Sequence, residues 1–483
     1  MTNIVYWNIQ KFSNGRIAGD ANALARLNVI KGIIRDATPD IIVVVEVTKG
    51  IGGASGATTL LNDLRNNTTD PNANEWRMVP LQIVGKSSNC ECVAVYYRGI
   101  STILDTNDPT KITHTVTRYF TGPFVWTGGA NGSSQDPTIG TPPSVVASNY
   151  ANASFLVPPG STARIIPDNT LTSSTVQYRA GQPEQQSAAR IDFDMQAATS
   201  QSGLKKLKSI PSYGTLRQPV MTTFYEVTTE ASTGNTSTRN LTLFSVHSPP
   251  AFGDATTYIN KLLGNTVQII VEPDATKNET KLICGDFNLN TLTDDGKRSE
   301  NYDTLTSNDV KYISLNSPDS VTTIAPQYLE TYQGYYATHI GNTPKKKSQR
   351  KASTRFLWSE NLSSPSPYPG YRYISSTKSI PNTYAVDNIL LWGDATNPPT
   401  TTFTIMNPIV GTPYTSQIPT PTPPLGSITT TCQFTYGTLP SKTWPQMPNA
   451  AIFENASADI LVNMSNYGLI RSTSDHLPLC VTL

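Results

Sequence analysis

Apolar segments that end in an acidic or amide side chain are the feature of this 483-residue chain that most constrains its fold. The clearest is Leu282-Ile283-Cys284, which runs directly into Gly285-Asp286-Phe287-Asn288. The apolar run from Ile41 to Val45 likewise ends at Glu46. Short apolar runs of this kind predict buried β-strands. We therefore expect a fold whose strands deliver oxygen-bearing side chains to a sheet edge, as open α/β sheets do.

Helix and strand alternate over the first hundred residues. Leu24, Leu27, Ile30 and Ile34 recur at helical spacing, and Pro39 follows them as a helix breaker. This pattern predicts a helix over 21–35. Strands are predicted at 4–7, 41–45 and 93–98, then at 220–227, 241–247 and 282–286, with a second helix near 255–271. The alternation indicates an α/β fold.

Three segments lack this patterning, at about 120–210, 341–380 and 395–450. They are rich in Gly, Ser, Pro and Thr, in a chain that holds 36 prolines and only 15% charged residues, against roughly 25% in an average protein. Loops of such length are uncommon inside compact domains unless they are functional or carry their own structure. We predict a single α/β domain, 1–483, that carries three insertions.

Charge, cysteine content and hydropathy exclude few functions. The formal net charge of +1 gives no global reason to bind a polyanion, so it neither supports nor excludes DNA. Five cysteines do not make a disulfide framework. The first residues lack the basic and apolar regions of a signal peptide, and no run reaches the roughly 18 apolar residues of a membrane span. We expect a soluble protein without an export signal, and the sequence leaves its compartment and oligomeric state open.

Five polar residues adjoin the ends of predicted apolar strands: Asn8, Glu46, Asp286, Asn288 and Asp475. If they meet at one edge, they supply three carboxylates and two amides. Hard cations prefer oxygen ligands, so this set suits Mg²⁺ or Mn²⁺ rather than zinc.

His247 and His476 also adjoin apolar strands and are two of only four histidines. Because imidazole titrates near neutral pH, it can take or give a proton there. Considered singly, each of these acids and histidines is better explained as a cap, a turn residue or a hydrogen-bonded core residue. Their joint placement at strand ends favours a catalytic site, since chance would scatter them over both strand ends and the loops.

The motifs around these residues resemble those of the endonuclease/exonuclease/phosphatase superfamily, and within it the type I deoxyribonucleases. The matching motifs, in chain order, are Tyr6-Trp7-Asn8-Ile9-Gln10-Lys11-Phe12, Val45-Glu46-Val47, Val95-Tyr96-Tyr97-Arg98, Ile103-Leu104-Asp105-Thr106, Arg217-Gln218-Pro219-Val220, Ser245-Val246-His247-Ser248-Pro249-Pro250, Gly285-Asp286-Phe287-Asn288, Ala385-Val386-Asp387-Asn388-Ile389-Leu390-Leu391 and Ser474-Asp475-His476. The resemblance covers the chain apart from the three insertions. It implies a four-layer α/β sandwich, with two mixed β-sheets flanked by helices.

The resemblance also implies a metal site and a water or phosphate site. Glu46, assisted by Asn8 and Asp475, would bind a catalytic Mg²⁺ or Mn²⁺, and a structural Ca²⁺ is a further candidate ion. Asp286 and Asn288 would hold the attacking water or the scissile phosphate.

Two histidine–carboxylate pairs follow from the same resemblance. Asp387 would orient His476, and Glu91 would orient His247, since a carboxylate behind an imidazole fixes its tautomer and stabilises its charged form. A solvent-facing strand position is an equally weighted alternative for Glu91. Arg217 would contact the substrate phosphate, because a guanidinium can donate two parallel hydrogen bonds to its oxygens.

Two departures from the family pattern concern the recognition of duplex DNA. Thr48 and Asn89 stand where the deoxyribonucleases carry an arginine and a tyrosine that engage the minor groove. A dense basic cluster would replace those contacts through the phosphate backbone, and a solvated charged loop is the alternative. Because the chain is otherwise poor in charge, we favour nucleic-acid binding for this cluster. Its five basic residues are Lys345, Lys346, Lys347, Arg350 and Lys351.

The function expected from the sequence is a divalent-metal-dependent phosphodiesterase, first of all an endonuclease that cleaves duplex or single-stranded DNA. One alternative is a phosphoesterase of the same fold that acts on a phospholipid or an inositol phosphate. A second alternative, from a different class, is a non-catalytic binding or structural protein on this scaffold. Retention of the whole acid, amide and imidazole set favours an enzyme.

Overall fold

The structure is a computed structural model. It describes residues 1–48, 51–79, 82–84, 91–122, 216–217, 219–265, 267–307, 310–317, 336–339, 356–359, 370–373, 384–393, 401–406, 459–461 and 473–483. Within these ranges the chain forms mixed β-sheets together with helices, so the predicted α/β class is confirmed.

The helices of the described residues are α1 (Asn14–Ile17), α2 (Ala21–Ala37), α3 (Ile51–Arg65), α4 (Phe252–Asn265), α5 (Val267–Ile270) and α6 (Asp303–Thr306). Helix α2 begins where the Asp20 carboxylate accepts a hydrogen bond from the Ala23 amide, and it ends at Thr38 in the left-handed conformation. The helix predicted near 255–271 forms as two shorter helices, α4 and α5. None of the helices in the described part is long and apolar enough to cross a membrane.

The strands of the described residues are β1 (Asn3–Phe12), β2 (Ile41–Thr48), β3 (Trp76–Met78), β4 (Gln82–Val84), β5 (Glu91–Arg98), β6 (Ile100–Leu104), β7 (Ile112–Gly122), β8 (Val220–Glu230), β9 (Thr236–His247), β10 (Thr280–Asp286), β11 (Tyr312–Ser314), β12 (Phe356–Ser359), β13 (Gly370–Tyr373), β14 (Asp387–Trp392), β15 (Thr402–Ile405), β16 (Asp459–Leu461) and β17 (Leu479–Thr482). They form two seven-stranded sheets and one of three strands, β13-β12-β16.

Sheet A has the strand order β15-β17-β1-β2-β5-β3, with β4 also paired to β5. Sheet B has the order β11-β14-β10-β9-β8-β7-β6. Each sheet is mixed, because β1 runs parallel to β2 and β9 runs parallel to β10, while their other pairings are antiparallel. Strand β15 lies inside the third predicted insertion, and its pairing with β17 extends sheet A. Most of the three predicted insertions lies outside the described residues, so the single-domain organisation stays a prediction.

The two sheets share one hydrophobic core. Strand β10 shows how its side chains divide: Leu282 and Cys284 pack into the core that also holds β1 and β2, whereas Ile283 points to the other face. On that other face a second core forms between sheet B and helix α4, where Tyr258 and Leu262 are buried. The apolar run Leu282-Ile283-Cys284 of β10 therefore reflects burial on both faces.

A buried ionic network ties the sheets together near the start of β1. Arg118 of β7 is fully buried, with Nη1 3.2 Å from Asp40 Oδ1 and Nε 2.6 Å from Glu226 Oε1. Thr2 donates a hydrogen bond of 3.0 Å to the same Glu226 oxygen. Burial disfavours the charged form of Glu226, but Arg118 and Arg239 outweigh it and lower the pKa of this carboxyl. From this network, strand β1 runs to the opposite edge of the sheet, where the polar residues at the strand ends lie.

Gly285 sets the spacing between β9 and β10 at that edge. A Cβ at this position would lie 2.0 Å from Val246 Cγ2 and 2.6 Å from the Val246 carbonyl oxygen. Both distances are too short for any real contact. The glycine before Asp286 is therefore a packing requirement.

We predict that Gly285→Ala destabilises the protein by about 1–3 kcal/mol, the usual cost of forcing extra atoms into a packed interior. The free energy of unfolding from urea titration measures this. Gly253→Ala is the matched control, because a Cβ there meets no atom within 4 Å. Equal unfolding free energies for the two variants would contradict the packing role of Gly285.

Candidate active site

Strand register places three predicted site residues side by side at one edge of sheet B. Asp286 ends β10, where it pairs with His247 of the parallel strand β9. On its other side Asp286 pairs with Asp387 of the antiparallel strand β14. Cross-strand neighbours lie on the same face of a sheet. The row His247, Asp286, Asp387 therefore follows from pairing alone.

Asn8 reaches this row from sheet A. Its side chain is fully buried, and Nδ2 donates a 3.0 Å hydrogen bond to Asp286 Oδ2 and a 3.4 Å bond to Glu46 Oε1. Asn8 Oδ1 is buried and has no hydrogen-bond partner within the described part of the chain. The amide thus bridges the carboxylates of two sheets and keeps one unused oxygen.

A local irregularity in β2 presents Glu46. The β2–β5 register shifts between Val44 and Val47, and Glu46 between them has a φ of 59°. Bulges of this kind re-aim a side chain, and left-handed backbone in a residue other than glycine is strained. The Glu46 side chain is 26% exposed, and its Oε2 accepts a 3.2 Å hydrogen bond from the Lys11 amide. A partly exposed carboxylate beside the Asn8 amide can accept a cation.

Each of two histidines is paired with a buried carboxylate at the same distance. His247 Nδ1 lies 2.7 Å from Glu91 Oε1, and His476 Nδ1 lies 2.7 Å from Asp387 Oδ2. Glu91 is only 5% exposed, so it does not occupy the solvent-facing position that the sequence also allowed. Because an ionised carboxylate only accepts hydrogen bonds, each Nδ1 carries a proton.

The second ring nitrogens of both histidines converge on one oxygen. His247 Nε2 lies 3.6 Å from Asp286 Oδ2, and His476 Nε2 lies 3.7 Å from the same atom. These separations exceed hydrogen-bond length, which leaves the nitrogens available to another group. The two imidazoles therefore face a common space beside Asp286.

Burial and charge shift the pKa values of these groups in opposing ways. Burial lowers the pKa of His476, but the carboxylates of Asp387 and Asp286 outweigh it and raise that pKa to about 10. For His247, burial is likewise outweighed by Glu91, and the net pKa is raised. Burial raises the pKa of Asp286, against the opposing effect of His476. At neutral pH His476 is an imidazolium ion.

The remaining predicted residues lie around this space. Asn288 has a φ of 49°, and its backbone NH donates a 2.9 Å hydrogen bond to Asp286 Oδ1. Asp475 Oδ2 accepts a 3.1 Å hydrogen bond from Gln10 Nε2. Arg217 Nε lies 2.8 Å from Glu91 Oε2, an ion pair whose N–H is not aimed at the oxygen. The guanidinium is thus placed behind the His247–Glu91 pair.

Two sets of the described residues have ligand atoms spaced closely enough for a metal ion. One is His339, Asp475 and His476, and the other is Asp286, Asp387 and His476, with all ligand atoms in each set within 4.8 Å of one another. Glu46 belongs to neither set. The donor set around Asn8 fits an ion on different grounds, since the buried, unpaired Asn8 Oδ1 and the Glu46 carboxylate are oxygen ligands suited to Mg²⁺ or Mn²⁺.

His339 is a site residue that the sequence reasoning missed. Its ring packs edge-on against His476, with centroids 4.8 Å apart and an interplanar angle of 75°. His339 is one of only four histidines, and this rarity could have marked it as a candidate. No strand pattern indicated its position. The basic cluster Lys345, Lys346, Lys347, Arg350 and Lys351 lies outside the described residues, as does Asn89.

No protein-family model matches the sequence, and comparison with curated proteins yields no match. Solved structures of endonuclease/exonuclease/phosphatase proteins are similar to this one. A truncated TDP2 from Caenorhabditis elegans has a TM-score of 0.30 and 9% identity, covering 99% of this chain and 96% of its own. An endonuclease/exonuclease/phosphatase from Bacteroides vulgatus has a TM-score of 0.31 and 10% identity, covering 100% and 98%.

A mannosyl-6-phosphatase from Bacteroides thetaiotaomicron is similar to the same degree, with a TM-score of 0.30 and 9% identity over 100% of this chain and 99% of its own. These neighbours are of the kind that the sequence motifs led us to expect. At such TM-scores the similarity carries no argument about activity. The function proposed below rests on the geometry of the site.

We predict that Asp387→Asn lowers the pKa of His476 from about 10 towards the ordinary histidine value of about 6.5. A raised folded-state pKa stabilises the protein fully below about pH 6.5, and that stabilisation is lost as the pH rises through about 10. Titration of the histidine ring signals by NMR, in metal-free protein, measures the shift. Asp63→Asn, which removes a carboxylate paired with Lys31 instead, is the control. An unchanged His476 titration in Asp387→Asn would refute the assignment.

Proposed function

We propose that this protein is a divalent-metal-dependent phosphodiesterase that cleaves DNA. One observation supports this proposal above the others: two carboxylate-backed imidazoles present their Nε2 atoms to one space beside Asp286. Phosphodiester hydrolysis needs one group to take a proton from water and another to give a proton to the leaving oxygen. A pair of imidazoles facing each other across one carboxylate can supply both.

The charge around this space suits a phosphate group. Arg217, together with the His476 imidazolium, provides positive charge close to the acids. In this proposal Glu46, Asn8 and Asp475 hold the metal ion. When bound, the ion would neutralise phosphate charge and polarise the phosphoryl oxygens. Mg²⁺ or Mn²⁺ matches the oxygen donors of Glu46 and Asn8.

The chain's own groups divide the proton transfers between them. His476 is charged at neutral pH, and we assign it the role of acid that protonates the leaving oxygen, with Asp387 stabilising its charged form. His247, held by Glu91, takes the proton of the attacking water. Asp286 and Asn288 orient that water or the phosphate. Each proton thus moves at an Nε2 atom.

DNA is the preferred substrate in this proposal because of the basic cluster at 345–351, whose lysines and arginine could track a phosphate backbone. A phospholipid or inositol phosphate is the rival substrate, since the same two imidazoles could cleave any phosphate ester. A non-catalytic role is disfavoured, because a binding protein needs no pair of carboxylate-backed histidines at hydrogen-bond distance.

We predict that the protein nicks supercoiled plasmid in the presence of Mg²⁺ and that EDTA abolishes nicking. His247→Ala and His476→Ala should each lower the rate about 100- to 10,000-fold, the usual contribution of general acid–base catalysis. Gel assay of nicked plasmid gives the rate. His114→Ala, which alters a β7 histidine, is the matched control and should retain full activity.

Release of phosphate or of a headgroup from lipids, without plasmid nicking, would overturn the DNA assignment and favour the lipid rival. Plasmid nicking that is unchanged in both histidine variants would argue against this catalytic site.

We predict that Glu46 is a ligand of the metal ion. Glu46→Gln should raise the Mg²⁺ concentration needed for half-maximal nicking by about tenfold or more, since it removes a charged oxygen ligand. Glu75→Gln is the control, because that carboxylate is about as exposed as Glu46 but is paired with Arg77, 3.6 Å away. If the Mg²⁺ requirement of Glu46→Gln equals that of the wild type, Glu46 is not a metal ligand.

A further inference from the structure

His339 is the third imidazole at this site, and its surroundings differ from those of His247 and His476. Its Nδ1 is buried, and no atom of the described residues accepts or donates a hydrogen bond there. The other two histidines each give their Nδ1 proton to a carboxylate. His339 is therefore not built as a carboxylate-backed acid or base.

The unpaired Nδ1 determines which nitrogen of His339 carries the proton. A buried N–H without an acceptor is costlier and rarer than a buried acceptor without a donor. The unpaired Nδ1 therefore favours the tautomer that carries its proton at Nε2. This Nε2 lies 3.7 Å from Asp475 Oδ2, too far for a direct hydrogen bond. Its N–H remains available to an oxygen of a bound molecule.

The backbone and the neighbouring rings hold His339 in this position. Its amide donates to the Tyr384 carbonyl at 2.8 Å, and the Leu477 amide donates to the Thr338 carbonyl at 2.6 Å. The imidazole packs edge-on against His476, and the Tyr384 ring lies 6.3 Å away on a 34° tilt. His339 also has a more exposed side chain than His476, at 20% against 8%. His339 is therefore the more solvent-accessible of the two rings, and these contacts hold it in one orientation.

We propose that His339 binds an oxygen of the substrate phosphate through Nε2–H, on the His476 side of the site. This inference rests on the proposed function in taking a phosphate ester as the ligand. His339 would then be a substrate-binding residue that donates a hydrogen bond to the phosphate beside His476.

Coordination of a metal ion by His339, Asp475 and His476 is the competing use of this ring, since their ligand atoms are suitably spaced. A metal bound at Nε2 would move the His339 proton to Nδ1. Metal-bound histidines almost always give that second proton to an acceptor, and none of the described residues provides one at His339. The hydrogen-bond donor role is thus the better match to the structure.

Two amide substitutions separate these roles. In His339→Gln the side-chain amide can reach the place of Nε2 and restore a donor, whereas in His339→Asn the amide reaches only the place of Nδ1. We expect wild type and His339→Gln to bind inorganic phosphate with similar affinity at a fixed Mg²⁺ concentration. His339→Asn and His339→Ala should bind it about tenfold more weakly, the usual effect of losing one hydrogen bond to a charged group.

Phosphate binding measured by calorimetry is the readout, and Mn²⁺ binding followed by electron paramagnetic resonance is measured in parallel. His114→Gln is the matched control. Equal phosphate affinity in the Gln and Asn variants would overturn the proposal. A fall in Mn²⁺ affinity in His339→Ala, with phosphate binding unchanged, would overturn it in favour of a metal ligand. Because both readouts are binding measurements, the wild type's failure to nick plasmid would refute the proposed function without deciding the role of His339.

Discussion

The Asp286 carboxylate is the group on which the arrangement of this site depends. It is buried at the end of β10, and its Oδ2 accepts a hydrogen bond from Asn8 of the facing sheet. The same oxygen is the point on which the two imidazole Nε2 atoms converge. The hydrogen-bond donors to this buried carboxylate, the Asn8 side-chain amide and the Asn288 backbone NH, are both neutral, and burial raises its pKa. The positively charged imidazole beside this carboxylate would also suit a phosphate ester.

The surrounding carboxylates set the pKa values and the orientation of the two histidines. Removing an imidazole from water disfavours its charged form, and the carboxylates of Asp387 and Glu91 oppose this effect at His476 and His247. With these partners in place the pKa values rise instead, and the rings are oriented with Nε2 towards the common space. Arg217 then pairs with Glu91 from behind, so the His247 side carries a further positive charge. Burial and pairing together give a site whose charges are set before any ligand binds.

Much of this could be predicted from strand ends. Apolar runs marked the strands of Asp286 and His247, and the family resemblance supplied Asp387. The three fall at one edge because their strands are adjacent. Glu91 was harder to place, because its strand begins at that residue and no pattern separates an inward from an outward position there. His339 could not be found in this way. It lies between stretches without periodicity, and the contacts that orient it come from Tyr384 and His476, which are distant in the sequence.

The sequence by itself determined the α/β class, the position of the apolar strands and the supply of acids, amides and imidazoles at their ends. These depend on local periodicity and residue chemistry, which a linear pattern records. Only the tertiary structure decided that Asn8 crosses between sheets to Asp286, that Glu46 is re-aimed by a bulge, and that His339 completes a trio of imidazoles. The physical reason is that these contacts join residues tens to hundreds of positions apart, through the packing of two sheets that no local pattern encodes.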